Sequence, residues 1–409
     1  MSRTECSVCD ATTLVANAGP AARWPAVFSL TLGVFGLVTA EFLPPSLLTA
    51  MAADLGVSEG AAGQTVTATA VAAAIAGPSL PVLTGRIDRR LVMLGLTVLL
   101  VLSNAMAVWA SDLWTLLAAR VVLGVALGGF WSMAGPLAMR LVPEAWFARA
   151  MALVLSGVSL ATVCAAPVGA WMGDTWGWRS AFIAADVLGL VTLATQWLTL
   201  PELPARGTAN LHTLVRLLGR PPVRAVLLAV LLVISGHFAG FTYVRPLMEN
   251  VAGLPIGAIS AVLLGYGIAG FFGNLAGGHV AGRSERMAVV LGSASIAVLA
   301  AAMLVAGHWA ALTSVAIVLW GFAFAAFPVA FQVWIMRAAP DQAEAANGLV
   351  VAAFQVAIAS GAIGGGVLVD SIGALGGPLF ALVAMSLGAA LTLKFGPRGG
   401  SPVAVAPGH

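Results

Sequence analysis

Long apolar stretches recur along this 409-residue chain and constrain its fold more than any other feature. Each covers about 20 residues, which as a helix is enough to cross the ~30 Å hydrocarbon core of a bilayer. Twelve such spans lie between the polar breaks, near residues 25–49, 60–84, 91–110, 113–138, 147–172, 180–199, 223–247, 257–281, 287–306, 310–336, 346–369 and 375–395. Only 9% of the residues are charged, against about a quarter in a soluble domain. The pattern predicts an all-α membrane protein with twelve transmembrane helices.

The first 23 residues are polar, and the apolar run behind them is too long for the core of a signal peptide, so we expect a tail rather than a cleaved signal. Cys6 and Cys9 form a lone Cys-x-x-Cys without nearby histidines, and Cys164 lies in an apolar segment. A single pair of this kind is weak evidence for a metal. We expect three reduced cysteines and no metal site.

The positive residues indicate the orientation of the chain. Sixteen of the 19 Lys and Arg residues lie in the loops and tails on the side of the termini, whereas Arg179 and Arg245 lie opposite and Arg120 lies within a span. Cytoplasmic loops carry such an excess, so both termini are predicted to be cytoplasmic. Basic residues are not interleaved with aromatics in any run, which argues against a nucleic-acid partner.

The two halves of the chain repeat at an offset of 197 residues. "GRIDRR" at 85–90 matches "GRSERM" at 282–287, and Arg140 and Pro143 match Arg337 and Pro340. Each half returns the chain to the same side, so the halves are parallel repeats, an arrangement associated with alternating access around a midplane site. The predicted boundaries are a tail at 1–23, a first half at 24–200, a linker at 201–222, a second half at 223–396 and a tail at 397–409.

The first half contains two charges that the second lacks. Glu41 lies inside the first span and aligns with Phe238, and Arg120 lies inside the fourth span. Intramembrane ionisable residues are costly and mark functional sites by default, so we interpret Glu41 as the proton-coupling group. The alternative is a structural acid that is hydrogen-bonded to a neighbouring span. Arg120 lies at a similar depth, and the sequence leaves open whether it shares the coupling site or only locks helices together.

Several segments resemble the major facilitator superfamily. "RVVLG" at 120–124 is similar to its fourth-span motif Arg-x-x-Gln-Gly, "GRIDRR" to a shortened loop motif, and "AAPVGAWMG" at 165–173 to the fifth-span motif of antiporters. The resemblance implies gating roles for Asp88, Arg89, Pro167, Gly169, Glu285 and Arg286. Within the superfamily the chain is most similar to the drug/proton antiporter type, and in particular to antiporters that export purine ribonucleosides.

That resemblance implies export of nucleosides such as inosine and guanosine in exchange for protons. It needs no cofactor besides the proton gradient, and we expect a monomer. Two alternatives stay open: antiport of lipophilic drugs or sugars, and an uncoupled facilitator of the same fold, which would not need Glu41. An ATP-driven pump is excluded within this chain, because its only lysine, Lys394, is not part of a phosphate-binding loop. A Gly-x-Ser-x-Gly or His-Glu-x-x-His constellation is also missing from the sequence, which argues against an enzyme.

A purine needs flat apolar faces and a few polar groups for its edge and ribose. The candidate stacking groups are Phe130, Trp131, Phe241, Tyr243, Phe324 and Phe327. The candidate polar groups are His237, Asn274, Gln332 and Gln355. For each of them, ordinary packing or an inter-helix hydrogen bond is the competing interpretation. Asp186 is predicted to pair with Arg179, and the alternative is a second proton site. Arg245 is predicted to form a rim ion pair with Glu249, and the alternative is a ligand clamp.

Overall fold

In the computed structural model of the chain, residues 22–143, 146–204 and 216–397 are described. Thirteen long helices account for most of them, and the described residues include no β-strand. The helices are α1 Trp24–Leu55, α2 Glu59–Leu83, α3 Arg89–Trp109, α4 Leu113–Leu141, α5 Phe147–Trp176, α6 Trp178–Thr199, α7 Pro221–Thr242, α8 Ile256–Arg283, α9 Glu285–Ala306, α10 Ala310–Phe324, α11 Phe327–Ala338, α12 Ala343–Ile372 and α13 Gly376–Phe395. Cys6, Cys9 and half of the predicted linker lie outside the described residues.

The helices fit the twelve predicted spans. Eleven spans of the described chain are long and apolar enough to cross a membrane, with α10 and α11 together forming one of them. The remaining helix, α2, has 25 residues, about 37 Å, and completes the set by length. Past α7, a short helical turn at Val244–Pro246 and a π-helical turn at Leu247–Val251 extend the seventh span. The predicted fold class is therefore confirmed.

One span departs from the prediction. The sequence predicts a continuous tenth span at 310–336, but the helix ends at Phe324 and restarts at Phe327. Pro328 explains the break, because it has no backbone N–H to donate to the carbonyl of Phe324 four residues earlier. The proline is the sequence signal that could have located the break.

The turns repeat between the halves as closely as the helices do. Gly56 follows α1 with φ of 63°, and Gly253 follows the extended α7 with φ of 61°. Gly177 between α5 and α6 and Gly373 between α12 and α13 have φ of 82° and 81°. Glycine reaches this left-handed region without steric cost. Each pair is separated by 197 or 196 residues, so the sequence repeat corresponds to a repeat of backbone conformation.

The helices pack as two groups, α1–α6 and α7–α13. We call these groups the N-half and the C-half. Their interface consists mainly of α2 against α12 and α5 against α8. The second contact is very close, because a Cβ on Gly267 of α8 would lie 2.6 Å from the Cα of Val163 of α5. Small residues permit such backbone approach between membrane helices.

Candidate functional site

Glu41 lies near the middle of α1, on the face that meets the C-half. Leu48 and Ala52, seven and eleven residues later on that face, pack with Tyr243 and Val369 of the C-half. Glu41 itself is half-buried, and its carboxylate has no hydrogen bond or ion pair with the described residues. The structure therefore places an unpaired acid at mid-membrane depth, facing the space between the halves.

Arg120 supports the helix beside this acid rather than pairing with it. Pro44 has no N–H, so the carbonyl of Ala40 loses its usual partner within α1. The Nη1 of Arg120 donates to that carbonyl at 3.0 Å. The guanidinium is completely buried and lies 4.9 Å from the ring centre of Phe182. Its Nε and Nη2 have no partner among the described residues. The geometry matches the helix-locking interpretation, and no ion pair with Glu41 is present in the described chain.

On the opposite side of the interface, the C-half has a cluster of aromatic rings around His237 of α7. The imidazole lies between two rings, 3.4 Å from the centre of Phe324 and 5.5 Å from that of Phe241, nearly parallel to both. Trp320 donates its indole N–H to His237 Nδ1 at 2.9 Å. Tyr266 stacks on the far side of Phe241, with centres 5.0 Å apart. We call these five residues the aromatic cluster.

The aromatic cluster adjoins both the acid and the helix break. Phe42, the neighbour of Glu41 in the chain, packs edge-to-face on Phe241 with ring centres 5.6 Å apart. Phe324 is the last residue of α10, directly before the break, and is partly exposed. Interrupted helices near the midplane are typical of transporter binding sites. The turn of α1 that carries the predicted acid therefore contacts the predicted aromatic groups through Phe42.

The halves are joined firmly at the end away from the termini. Arg245, at the end of the seventh span, donates to the carbonyl of Ser46 at 2.6 Å and to Asp174 of α5 at 2.7 Å. It also pairs with Glu249 at 2.7 Å, as predicted. The contacts with α1 and α5 were not predicted, and they turn a rim ion pair into a buried bridge between the halves. The side chains of Arg245 and Asp174 are only 4% and 9% exposed.

A second bridge lies beside the first. Asp370 of α12 accepts hydrogen bonds from the hydroxyl of Ser58 at 2.9 Å and the N–H of Gly60 at 3.0 Å. It thus caps the first turn of α2 from the other half. The hydrogen bonds of Tyr243 to Gly60 and of Asn250 to Glu59 also join the halves at this end of the molecule. We call this set of contacts the seam.

These contacts describe a membrane-spanning bundle of two repeated halves, and comparison with known proteins agrees. The model of the Major Facilitator Superfamily matches residues 30–362. The chain belongs to this superfamily. The purine ribonucleoside efflux pump NepI of Salmonella paratyphi B is 40% identical over 372 residues, which are 90% of this chain and 94% of that protein. The same pump of Escherichia coli O6:H1 is 39% identical over 384 residues, 93% of this chain and 97% of that protein.

A solved structure gives the same result for the fold. A bacterial homologue of the human lysosomal transporter Spinster, in an inward-facing and unoccupied conformation, matches with a TM-score of 0.74 at 13% identity. The match covers 94% of this chain and 100% of that one. The predicted family is confirmed, and the protein is a multi-pass membrane transporter rather than an enzyme.

The gating residues predicted from the superfamily's loop motif bond within their own half in this state. Asp88 caps α3 through the N–H of Arg90 at 2.7 Å and accepts from Leu203 at 3.0 Å. Arg89 donates to the carbonyl of Thr84 at 3.1 Å. These bonds hold the α2–α3 loop to the segment after α6. The gating role of Asp88 and Arg89 stays a prediction. It applies to a state in which the two halves close on the side of the termini.

The corresponding pair in the C-half behaves in the same way. Glu285 is buried at the start of α9 and pairs with Arg337 of α11 at 2.6 Å. Arg286 donates to the carbonyl of Leu393 in α13. Both partners belong to the C-half, so this loop is also bonded internally.

The predicted antiporter motif lies where α5 meets α1. Pro167 is buried inside α5. Gly169 faces the turn of α1 that contains its two prolines, since an added Cβ would lie 2.7 Å from Leu43 and 3.0 Å from the hydroxyl of Ser46. A rearrangement of α5 would therefore displace atoms of α1, the helix that carries Glu41.

The other predicted substrate-binding residues are dispersed. Phe130 is buried in the N-half against Gly33, Trp131 packs on the N-half core, and Phe327 is buried against Gly292 in the C-half. Tyr243 donates to the carbonyl of Ala362 at 2.8 Å in the seam. Asn274 and Gln332 are exposed, and Gln355 is buried with its Oε1 unpartnered among the described residues. Of the predicted set, only His237, Phe241 and Phe324 belong to the aromatic cluster.

One predicted ion pair is wrong, and two polar groups were missed. Arg179 pairs with Asp54 of α1 at 2.6 Å rather than with Asp186, because the two ends of α1 and α6 meet outside the membrane core. Asp186 is half-buried in α6, and its Oδ1 has no partner in the described chain. Asn104 of α3 is fully buried. Asp174 is identified only by its contact with Arg245, since a lone acid at a helix end gives no distinctive signal.

Proposed function

We propose that this transporter exports purine ribonucleosides such as inosine and guanosine across the bacterial inner membrane in exchange for protons. The observation that carries the proposal is the contact of Phe42, the neighbour of the unpaired acid Glu41 on α1, with the aromatic cluster of the C-half. Flat rings suit a purine, and an acid that is free of partners suits a proton carrier. The printed function of the relatives in Salmonella and Escherichia supports the same cargo.

The orientation of the chain determines which side of the membrane the seam closes. If the termini are cytoplasmic, as the distribution of positive residues supports, then the seam closes the external side. The structure then corresponds to the inward-facing state, in which cargo enters from the cytoplasm. Export requires the seam to open and the terminus side to close, and the buried bridge from Arg245 to Asp174 is the main polar barrier to that opening.

Glu41 would couple this movement to protons because its ionised carboxylate is costly to remove from water. An ionised, unpaired carboxylate is expensive in a closed membrane interior, so closing the halves around it favours either a bound proton or an open, hydrated state. A proton taken up from outside would therefore permit the return of the empty carrier, and its release to the cytoplasm would prepare the site for cargo. Arg120 contributes by holding the bend of α1 next to the acid. No cofactor is required, and one chain contains the whole site.

The test is transport by the purified protein in liposomes with an imposed pH gradient. Labelled inosine and guanosine are compared with a lipophilic cation and a sugar. We expect uphill accumulation of both nucleosides in the vesicle compartment with the lower pH, and its loss when a protonophore collapses the gradient. Accumulation of the cation or the sugar in place of the nucleosides would refute the cargo. Equilibration of nucleosides without accumulation would identify an uncoupled facilitator.

A further inference from the structure

His237 has one ring nitrogen bonded and the other without a partner. The imidazole is completely buried, and its Nδ1 accepts from Trp320 at 2.9 Å. Its Nε2 has no partner among the described residues. Buried polar atoms are nearly always hydrogen-bonded, so an Nε2 without a partner in the interior of a membrane protein requires an explanation.

Trp320 determines what this orphan nitrogen can do. The indole N–H is a donor only, so Nδ1 must offer its lone pair, and the proton of the neutral imidazole is on Nε2. The ring cannot bind a second proton while this bond lasts, because the Nδ1 lone pair is already occupied. His237 is therefore a fixed donor in this state, and the alternative role in proton movement would first require the loss of the bond from Trp320.

The position of the orphan donor is that of a ligand contact. Phe324 covers one face of the imidazole and Phe241 the other, and Phe238 packs perpendicular to the ring with centres 5.0 Å apart, so a polar partner is left only the remaining part of the ring edge. Phe324 is partly exposed and ends α10, directly before the break at 325–326. A side chain at a helix end moves more easily than one inside a continuous helix, so a shift of Phe324 would uncover the face that it covers and make room for a ligand beside the ring.

Resting on the proposed function, we propose that the Nε2–H of His237 donates to O6 of a 6-oxopurine nucleoside, and that Trp320 sets this specificity by fixing the tautomer. The 6-oxopurine edge presents two acceptors, N7 and O6, whereas an adenine presents an N6 amino donor in place of O6. A donor facing that amino group would leave both N–H groups unpaired in a buried site. The pair His237 and Trp320 therefore selects inosine and guanosine over adenosine.

The wild-type protein alone provides the first test. Competition against labelled inosine is measured with inosine, with purine riboside and adenosine, which differ from inosine at the 6-position and in the proton on N1, and with 7-deazainosine, which differs at N7 only. We expect purine riboside and adenosine to bind about 10- to 100-fold more weakly, because they leave the donor unpaired. We expect 7-deazainosine to compete within a few-fold of inosine. Equal competition by adenosine, or selective failure of 7-deazainosine, would overturn the assignment of O6.

Two variants test the residues themselves. His237→Phe removes the donor but keeps a flat ring, and Trp320→Phe frees Nδ1 so that either tautomer can form. Both should reduce the inosine-to-adenosine ratio of binding constants by about tenfold or more, chiefly through weaker inosine binding. Trp334→Phe is the matched control, since Trp334 is a buried tryptophan of the same half that stacks on Phe331 outside the aromatic cluster. An unchanged ratio in both test variants would show a purely structural role.

A measurement without transport separates this inference from the proposed function. In protein with ¹⁵N-labelled histidine, the resonances of His237 are assigned by their loss in His237→Phe. They should report a proton on Nε2 in the wild type and a mixture of tautomers in Trp320→Phe. A proton on Nδ1 in the wild type would overturn the inference even if nucleosides are exported. The predicted tautomer in a protein that binds no nucleoside would refute the proposed cargo and the O6 contact, but not the fixed donor.

Discussion

The two halves of the molecule share a backbone and differ in chemistry. At an offset of 197 residues, Glu41 and Arg120 of the N-half correspond to Phe238 and Ile317, while Trp320 and Phe324 of the C-half correspond to Leu123 and Leu127. At these positions, therefore, the N-half carries an acid and a cation where the C-half has apolar side chains, and the C-half carries rings of the aromatic cluster where the N-half has leucines. Duplication has supplied two equivalent scaffolds, and one has become the ion-handling side while the other suits a flat organic ligand.

Proline shows the same contrast at the level of single helices. In α1, Pro44 leaves the carbonyl of Ala40 without its usual partner, the helix continues, and Arg120 donates to that carbonyl. In the tenth span, Pro328 leaves the carbonyl of Phe324 free, and there the helix breaks. The N-half thus has a buried cation on its freed carbonyl, whereas the C-half has an interrupted helix next to its aromatic residues.

The largest effect should follow from moving the cation to the other half. Ile317→Arg places a guanidinium at the position equivalent to Arg120, at a buried site with no freed carbonyl and no acid nearby. An unpaired charge there costs about 3 kcal/mol or more, so we expect a large fall in melting temperature and in the yield of monodisperse protein. Ile317→Met, which conserves volume, is the control and should behave like the wild type. A stable Ile317→Arg protein would show that the halves are chemically interchangeable.

The next largest effect concerns the seam that joins the halves. Arg245→Gln leaves Asp174 buried without its cation, which should destabilise the closed seam by about 3 kcal/mol. Spin labels at Ser111 of the N-half and His308 of the C-half, both exposed, should then report a longer distance by double electron–electron resonance.

The control for the seam is Arg179→Gln. Its ion pair with Asp54 stays within the N-half and is partly exposed, so its loss should cost less than about 1 kcal/mol and leave the label distance unchanged. Equal distances in Arg245→Gln and the wild type would mean that apolar packing, rather than this bridge, closes the external end.

A smaller effect tests the role of Arg120. Arg120→Gln should lower the free energy of unfolding by about 1–3 kcal/mol, because it removes the donor to Ala40. Pro44→Ala restores an N–H for that carbonyl, so the loss should shrink by about 1 kcal/mol in the double variant. Pro45→Ala restores a donor for the carbonyl of Glu41 instead and should not rescue Arg120→Gln. Purely additive effects of Arg120→Gln and Pro44→Ala would contradict this role.

The smallest effect should be equal in both halves. Gly56 and Gly253 have φ near 60°, and an added Cβ at either would meet no atom within 4 Å. Replacing each with alanine should cost about 1 kcal/mol, from the backbone conformation alone. Thermal unfolding of the two variants should agree within a few tenths of a kcal/mol. A large difference would mean that the repeat does not extend to the energetics of the turns.

The fold could be read from the sequence because apolar length and repeated loop motifs are local signals. The same holds for the depth of Glu41 and for His237, Phe241 and Phe324 as candidate ligands. The partners of Arg120, Arg179 and Arg245 could not be read in this way, since a sequence gives the depth of a side chain but not the direction in which it points. Phe130 and Phe327 illustrate the same limit, because they were selected for depth and proved to face the cores of their own halves.

The central claim is that the acid on α1 converts a proton gradient into export. The direct measurement compares Glu41→Gln with the wild type in liposomes, both for uphill accumulation of inosine under a pH gradient and for inosine exchange at equal pH. Glu202→Gln, which changes an exposed carboxylate after α6, serves as the control and should retain both activities. The account predicts that Glu41→Gln loses accumulation while exchange persists. Accumulation by Glu41→Gln at the wild-type level would contradict it.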